Sequence, residues 1–402
     1  MRQILAWALF DLANTFFAVA MLSFYFPLWV VETRGGKELS LSLAFGASMA
    51  CVAALMPVCG AKADAAGDRI GWLRRTTLAC VALTALIGLT ESVGWALALF
   101  ACANVCYQLG TIFYDALLWQ LASEDRLGIV SGLGSAFGYL GSMLGLLLLR
   151  PFVLRDGYHA AFLPSAAYFL MFAVPLLVLM RPRPTGAGLA WRAAAVTAWR
   201  HLRTVMRSGR TVAGLWRYCW ASLFSLSAIN TVIVFMAVYT RRVLGFSEAQ
   251  LVQFFLFSQA FAVLGALSFG FAIRWWGAKR TLLGIWCGWV GALGVAAARP
   301  SPEWIWFVGP VIGFCLGSTW ATARVLVTQL APKAQLAEMF GLTGLFGRLA
   351  AILGPVLWGW LVWDPARYTH AMLAMIGLLL VGVWLLAGVR MTEGSTEGSR
   401  AA

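Results

Sequence analysis

The sequence has little charge and almost no histidine. Of its 402 residues, 11% are charged, 61% are hydrophobic and only 3 are histidine. A soluble domain needs a polar surface around its core, so this composition excludes an ordinary soluble globular protein and makes lipid the solvent of most side chains. The sequence also has no GxxxxGKS or GxxxxGKT nucleotide loop, no metal-spaced set of His and Cys, and no nucleophile motif. We therefore expect no enzymatic activity, no catalytic residue, no cofactor and no metal site.

The eight cysteines all fall in or beside hydrophobic segments, without a CxxC pair. We interpret them as packing residues. Cys102 and Cys106 share a helix face, which leaves a soft metal as the alternative for this pair, but no third ligand accompanies them.

Twelve apolar runs are long enough to cross a bilayer. They lie near residues 5–31, 41–61, 76–93, 95–121, 130–150, 159–180, 215–240, 249–273, 281–298, 304–327, 338–363 and 369–390. The runs are too long and too uniformly apolar for strands of a β-barrel, so the sequence predicts an all-α membrane protein. The first run carries Asp11 and lacks a cleavage site, which indicates a retained helix and not a secretory signal.

The distribution of basic residues predicts the orientation. With the N-terminus inside, 20 of the 30 Lys and Arg residues are cytoplasmic, 8 lie on the far side and 2 within the membrane. The positive-inside rule then places both termini in the cytoplasm of a multi-pass protein of the cell inner membrane. Since the net charge of +14 sits in short loops beside helix ends, its counterions are lipid headgroups, and we expect no nucleic acid partner. We expect a monomer that binds a small-molecule substrate.

An internal repeat divides the chain into two related halves. A shift of 209 positions aligns Gln120–Gly141 with Gln329–Ala350 at nine identities in 22 positions, and shifts of 216 and 210 align further polar and glycine residues. Two six-span halves repeated in parallel are the signature of the major facilitator fold, with twelve transmembrane helices in two pseudo-symmetric bundles. The predicted domains are residues 1–180, a cytoplasmic linker with an amphipathic helix at 181–214, the second bundle at 215–392 and a disordered tail at 393–402.

The repeat matches acidic residues of the first half with arginines of the second. Asp115 in span four matches Arg324 in span ten, and Asp64 matches Arg274. Each of Asp115 and Arg324 lies about 13 Å along its helix from the cytoplasmic end. A pair between them would close a central cavity from inside. The alternative is that each charge is satisfied within its own half, because intramembrane ions are nearly always paired.

Polar residues inside the spans are the candidates for substrate and proton binding. Asp11, Asn14 and Thr15 share one face of span one, and the repeat places Asn230 and Thr231 at the matching positions of span seven. A carboxylate within the membrane is costly unless it is protonated, paired or hydrated. Asp11 is therefore our first candidate to carry a proton or bind a substrate amine; the alternative is that it only fixes helix packing.

Arg348 is the second candidate charge. It lies about 15 Å along span eleven, near the midplane, and the repeat matches it with Tyr139 of span five. Its guanidinium fits a substrate carboxylate or phosphate. An internal ion pair and snorkelling to the interface are the alternatives.

Two further patterns concern movement and the membrane surface. Spans five and eleven are rich in glycine, which predicts close packing of helices and allows sliding.

Between the halves, the helical spacing of Trp191, Ala195, Trp199, Leu202 and Met206 predicts an amphipathic helix, with arginines elsewhere on its surface. We expect this helix to lie on the inner leaflet as a tether rather than as a binding site.

The segment from Gly60 through Asp64 to Gly67, followed by Arg74 and Arg75, resembles the signature loop of the major facilitator superfamily. It combines a glycine turn, an acid near a helix end and basic residues at the lipid headgroups. The resemblance implies a role in gating between conformations and says little about the substrate.

Several motifs together resemble the vacuole-effluxer-like family of that superfamily over nearly the whole chain. The most specific are Trp7-Ala-Leu-Phe-Asp11-Leu-Ala-Asn14-Thr15 and the run from Ser131 to Gly141. The family includes an amino-acid exporter of fungal vacuoles, so the resemblance implies transport more firmly than it implies a substrate. Where the family usually carries an acid in span seven and in the second loop, this chain has Ser227 and Arg274, which argues against coupling through a span-seven acid.

The sequence thus predicts a secondary transporter that moves an amino acid or a related zwitterion across the inner membrane by alternating access, with possible proton coupling. The alternatives are a multidrug or amphipath exporter, which the many aromatic residues favour, and a non-transporting membrane sensor or assembly factor. A membrane-embedded lipid transferase would need paired acids or a nucleophile near the interface, and the sequence offers neither.

Overall fold

The computed structural model describes residues 1–121, 127–180, 186, 188–212, 214–298, 302–332, 335–363 and 367–390. Helices account for almost all of this part of the chain. They are α1 (Arg2–Phe17), α2 (Tyr25–Leu28), α3 (Glu38–Ala66), α4 (Arg69–Ile87), α5 (Val93–Leu121), α6 (Leu127–Asp156), α7 (Phe162–Leu179), α8 (Trp191–Thr211), α9 (Leu215–Arg242), α10 (Glu248–Ala297), α11 (Pro302–Leu330), α12 (Leu336–Leu361) and α13 (Tyr368–Ala387).

Within the described residues, eleven helical segments are long and apolar enough to span a membrane. One of them, α10, has 50 residues and breaks at Gly277, where φ is 77° and ψ is 156°. Its two parts are each long enough to cross the bilayer, which gives the twelve spans of the predicted fold. Gly277 therefore separates the two spans that the sequence predicts at 249–273 and 281–298. The third span was misplaced: it covers Arg69–Ile87 and not 76–93, because Asp68 caps α4 and starts it seven residues earlier.

The first span is irregular. Between α1 and α2 the backbone forms a π-helical segment at Ala18–Ser23, and a second π-helical segment follows at Trp29–Thr33. Phe24 and α2 separate the two, and the φ of −131° and ψ of −79° at Phe24 lie outside the helical region. The aromatic side chains around this bend are fully buried, including Phe24 and Phe26. The matching span of the second half, α9, is described as one uninterrupted α-helix.

The chain divides into two compact units, the first being Met1–Arg200 with Ile233–Val238 and the second the other described residues from His201 onward. In the first unit, α1 packs against α6 and α7, α4 packs against α5 and α7, and α3 packs against α5. The Tyr25 hydroxyl donates a 2.7 Å hydrogen bond to the carbonyl of Leu146, which fixes the bent first span against α6.

In the second unit, α10 packs against α11 and α13. Small residues bring α10 and α11 together, because a Cβ at Gly313 or Gly317 would overlap the backbone carbonyl of Ser258 or Ala262. The Ser318 hydroxyl crosses the same interface and donates to the carbonyl of Gly265 at 3.0 Å. Close contact through glycine and serine is how helices associate in lipid, where burial of apolar surface alone gives no preference.

Equivalent glycines end a helix in each unit. Gly67 follows α3 with φ of 64°, and Gly277, its match in the repeat, has φ of 77°. An L-residue side chain is strained at such positive φ, so glycine suits both turns. Beyond each turn a basic side chain caps the C-terminal end of another helix of the same unit: Arg74 donates to the carbonyl of Leu177 in α7 at 2.6 Å, and Lys279 to that of Ala387 in α13 at 2.8 Å.

Candidate functional site

The polar face of α1 lies against α6. Asp11 and Thr15 are half-buried, and Asn14 is buried. The Thr15 hydroxyl donates to the carbonyl of Gly138 on α6 at 2.5 Å, and a Cβ at Gly138 would lie 2.9 Å from Oδ2 of Asp11. The glycine therefore leaves room for the carboxylate, which lies at the interface of α1 and α6.

Tyr114 on α5 completes this face, and the sequence analysis did not single it out. Its side chain is 3% exposed and stacks on Trp7 with a centroid distance of 4.7 Å. The charges of Asp11 and Asp115 both act on its hydroxyl. Asp11 is within reach of that hydroxyl, but among the described residues the hydroxyl has no hydrogen bond of regular geometry. Only its place beside Asp115 in the printed sequence pointed to it.

The structure thus brings Asp11, Tyr114 and Asp115 together within the first unit. Asp115 is exposed on α5, and Tyr139 is half-buried on α6. A carboxyl group and a phenol in contact can share a proton in either direction, since each is a donor when protonated and an acceptor otherwise. We call Asp11, Tyr114 and Asp115 the carboxyl–tyrosine cluster.

The second unit repeats the threonine contact without the acid. Thr231 is fully buried, its hydroxyl donates to the carbonyl of Ser227 at 2.7 Å, and a Cβ at Gly354 of α12 would lie 2.5 Å from that hydroxyl oxygen. Ser227 itself is buried and donates to Leu223 at 2.6 Å. Asn230 beside them is half-buried. The neutral serine occupies the position that the repeat matches with Asp11.

The candidate arginines also belong to the second unit. Arg324 is exposed on α11 and its Nε donates to the carbonyl of Trp320, one turn earlier, at 3.4 Å. Arg348 is half-buried on α12. The pairing of Arg324 with Asp115 and the contact of Arg348 with substrate stay predictions.

The signature segment forms a helix end, a turn and a helix start. Asp64 pairs with Arg69 at 2.8 Å, and Arg75 lies 3.9 Å from Asp68, the N-cap of α4.

Gly60 was wrongly expected in the loop: it lies inside α3, which continues to Ala66. The turn itself is made by Gly67 because only this position has a left-handed backbone. A cavity of ≈290 Å³ adjoins this turn and is lined in part by Gln3 and Gln120.

Metal binding has no support among the described residues, where no group of three His, Cys, Asp or Glu side chains could hold an ion. The cysteine expectation needs correction, because Cys51, Cys102 and Cys287 are exposed and do not pack inside a unit.

The fold and the apolar spans define a polytopic membrane protein with the major facilitator fold. A mutant form of the nucleoside transporter NupG superposes with a TM-score of 0.79 at 13% identity, over 96% of this chain and 99% of that protein. A peptide transporter, POT, superposes with a TM-score of 0.74 at 15% identity, over 96% and 94% of the two chains.

Sequence comparison identifies the family. The model described as "Vacuole effluxer Atg22 like" matches residues 126–399, more than half of the chain, so the protein belongs to this family. A Bacillus subtilis protein named as the uncharacterized MFS-type transporter YxiO is 24% identical over 99% of this chain and 97% of its own. Autophagy-related protein 22 of Kluyveromyces lactis is 19% identical over 69% of this chain and 61% of its own length.

Proposed function

We propose that this transporter carries an amino acid or a related zwitterion across the bacterial inner membrane by alternating access, coupled to protons through Asp11. The observation that carries the proposal is the carboxyl–tyrosine cluster, which places an acid and a buried phenol inside the apolar spans of the first unit. Ionisable groups at such a depth are costly and mark substrate or proton pathways.

A zwitterion suits the charges that the two units carry. The first unit holds Asp11 and Asp115 within its spans, and the second holds Arg324 and Arg348. A carboxylate binds an ammonium group, and a guanidinium binds a carboxylate through two parallel hydrogen bonds. The naming of the family as vacuole effluxers supports export of solutes as its general activity.

The inner-membrane location and the cytoplasmic termini follow from the positive-inside rule. Of the 30 Lys and Arg residues, 20 fall on the side that holds both termini. We also propose that the turn at Gly67, with its Asp64–Arg69 ion pair of 2.8 Å, takes part in gating from this side.

The direct test is transport by purified protein in proteoliposomes with an imposed pH gradient. A thermal-shift screen of amino acids, peptides and large apolar cations first identifies a ligand, because binding to the native state raises the melting temperature. We expect Asp11→Asn to reduce gradient-driven transport of that ligand about tenfold or more, since a charge-assisted hydrogen bond contributes ~1.5–3 kcal/mol.

The matched control is Asp156→Asn, which neutralises an exposed acid at the end of α6 and should leave transport unchanged. Transport that ignores the pH gradient and survives Asp11→Asn would remove the proton-coupling part of the proposal. A screen in which only large apolar cations shift the melting temperature would replace the zwitterion by an amphipath as the substrate.

A further inference from the structure

The linker helix α8 carries a face that the proposed transport function does not use. It contains five arginines and no acidic residue. With 3.6 residues per turn, Ala194, Ala198 and Val205 fall on one side, and Arg192 and Arg203 on the opposite side. The alanines and Val205 are at most 6% exposed, whereas both arginines are exposed.

The buried side of α8 packs on protein. Ala194 and Ala198 cluster with Val58 of α3. At the start of the helix, Trp191 contacts Trp72 edge to face with a centroid distance of 6.0 Å, and Lys62 lies 4.6 Å over the Trp191 ring. This corrects the sequence-based expectation that the stripe with Ala195 and Leu202 is the buried side of the helix. The buried side is formed by Ala194, Ala198 and Val205, which are smaller residues one position earlier in the sequence.

The outer side of α8 mixes arginines with large apolar side chains. Trp199 is 55% exposed and Val196 is 50% exposed, and both lie among Arg192, Arg203 and Arg207. Neither the described ion pairs nor the described hydrogen bonds include those three arginines. We call Arg192, Val196, Trp199, Arg203 and Arg207 the outer face of α8.

The position of α8 limits what can meet this face. Only four steps of chain separate Thr211 from Leu215, where the span α9 begins, so the end of α8 lies within about 14 Å of that helix end. Gly214 makes the turn between them with φ of 79°. Because Ala194 and Ala198 pack on Val58 of the span α3, both parts of α8 are restrained beside spans. The helix is thereby held near the bilayer surface, where tryptophan is favoured and where anionic phosphates are the most abundant partners for arginine.

We infer that the outer face of α8 binds the phosphate groups of anionic phospholipids in the leaflet on the side of the linker. An arginine matches a phosphate with two parallel hydrogen bonds, and Trp199 and Val196 enter the headgroup layer beside it. A soluble acidic partner would satisfy the arginines but would give no reason for a tryptophan and a valine to stand exposed between them.

The test is hydrogen–deuterium exchange of the full-length protein in nanodiscs of phosphatidylcholine, with or without phosphatidylglycerol. Backbone amides of α8 should exchange about tenfold slower in the anionic nanodiscs, because each arginine near such a surface is attracted to the anionic lipids. The triple variant Arg192→Gln, Arg203→Gln, Arg207→Gln should show less than about a twofold difference between the two lipids.

The matched control is Arg155→Gln, which removes an exposed guanidinium at the far end of α6 and should keep the full lipid difference. Native mass spectrometry gives a readout independent of exchange: the unaltered protein should retain phosphatidylglycerol over phosphatidylcholine. Equal exchange of α8 in both lipids for the unaltered protein would overturn the inference, as would protection of α8 by added polyglutamate but not by phosphatidylglycerol.

Discussion

Tyr114 stands at the centre of the polar contacts of the first unit, with its ring and its hydroxyl in different environments. The ring is held between Trp7 and Phe10 at centroid distances of 4.7 and 5.2 Å. The hydroxyl lies within reach of Asp11 and under the charge of Asp115, without a hydrogen bond of regular geometry in the described part of the chain. Aromatic packing therefore fixes the ring, and the hydroxyl remains available for a hydrogen bond with the neighbouring acids.

Removal of this hydroxyl should affect transport and leave stability almost unchanged. Tyr114→Phe keeps the stacking on Trp7 and loses no regular hydrogen bond, so we expect an unchanged melting temperature. Transport in proteoliposomes should fall about tenfold, because the proposed proton exchange between Asp11 and this hydroxyl is then lost.

Tyr25→Phe provides the opposite control. The Tyr25 hydroxyl donates to the carbonyl of Leu146 at 2.7 Å, so its removal costs about 1 kcal/mol of stability and should spare transport. If Tyr114→Phe instead lowered the melting temperature and kept full transport, Tyr114 would be a packing residue only.

Of the two site residues Asp11 and Tyr114, the sequence allowed only Asp11 to be predicted. Asp11 is conspicuous because a carboxylate in an apolar run is costly. Tyr114 is one of 9 tyrosines, all compatible with a membrane helix, and its role depends on Trp7 and Phe10 from another helix. The role of such a residue depends on contacts between elements that are distant in sequence, and no local sequence pattern reveals these contacts.

Between elements, the packing of α6 on α1 depends on which glycines face the partner helix. A Cβ at Gly141 would overlap the carbonyl of Leu12 and lie 2.6 Å from the Thr15 hydroxyl oxygen. At Gly132 of the same helix, a Cβ would meet no atom within 4 Å. The glycine-rich pattern predicted close packing for both, and it holds for Gly141 but not for Gly132.

This difference gives a paired prediction. Gly141→Ala should push α1 from α6 at a cost of about 1–3 kcal/mol, and should lower the melting temperature of the purified protein. Gly132→Ala should leave it unchanged or raise it slightly, because alanine favours the helix by up to about 1 kcal/mol. Equal melting temperatures for the two variants would contradict the close approach of α1 and α6.

Sequence patterns located the spans better than their ends. Hydropathy fixed the membrane-crossing runs because the bilayer thickness demands them. It missed the early start of α4, which depends on the cap made by Asp68. Such boundaries depend on hydrogen bonds to the backbone at the helix ends, and the apolar content of a segment does not reveal these bonds.

At the scale of the whole molecule, the duplication is visible in the backbone. A shift of 210 positions pairs Gly67 with Gly277, and both adopt positive φ. The same duplication matches Thr15 with Thr231, and each lies against a glycine of the partner helix. The halves differ in charge, because Ser227 takes the position that corresponds to Asp11.

The charge swap at Asp115 and Arg324 is a prediction of the duplication, and it can be tested by reversal. Asp115→Arg and Arg324→Asp should each abolish most transport, since each places like charges together or leaves an ion without a counterion. The double variant should recover a large part of the activity in proteoliposomes. Failure of the double variant to exceed either single variant, with normal folding of all three, would exclude the pair.

The π-helical segments of the first span set a limit on reasoning by helical faces. A π-helical turn holds more residues than an α-helical turn, so the side chains beyond each segment are rotated relative to an uninterrupted α-helix. Asp11 and Thr15 precede Ala18, so their common side is unaffected. Beyond Ser23 the side chains no longer follow the α-helical spacing of the first part. A helical wheel drawn through the whole first span would therefore assign its outer residues to the wrong neighbours.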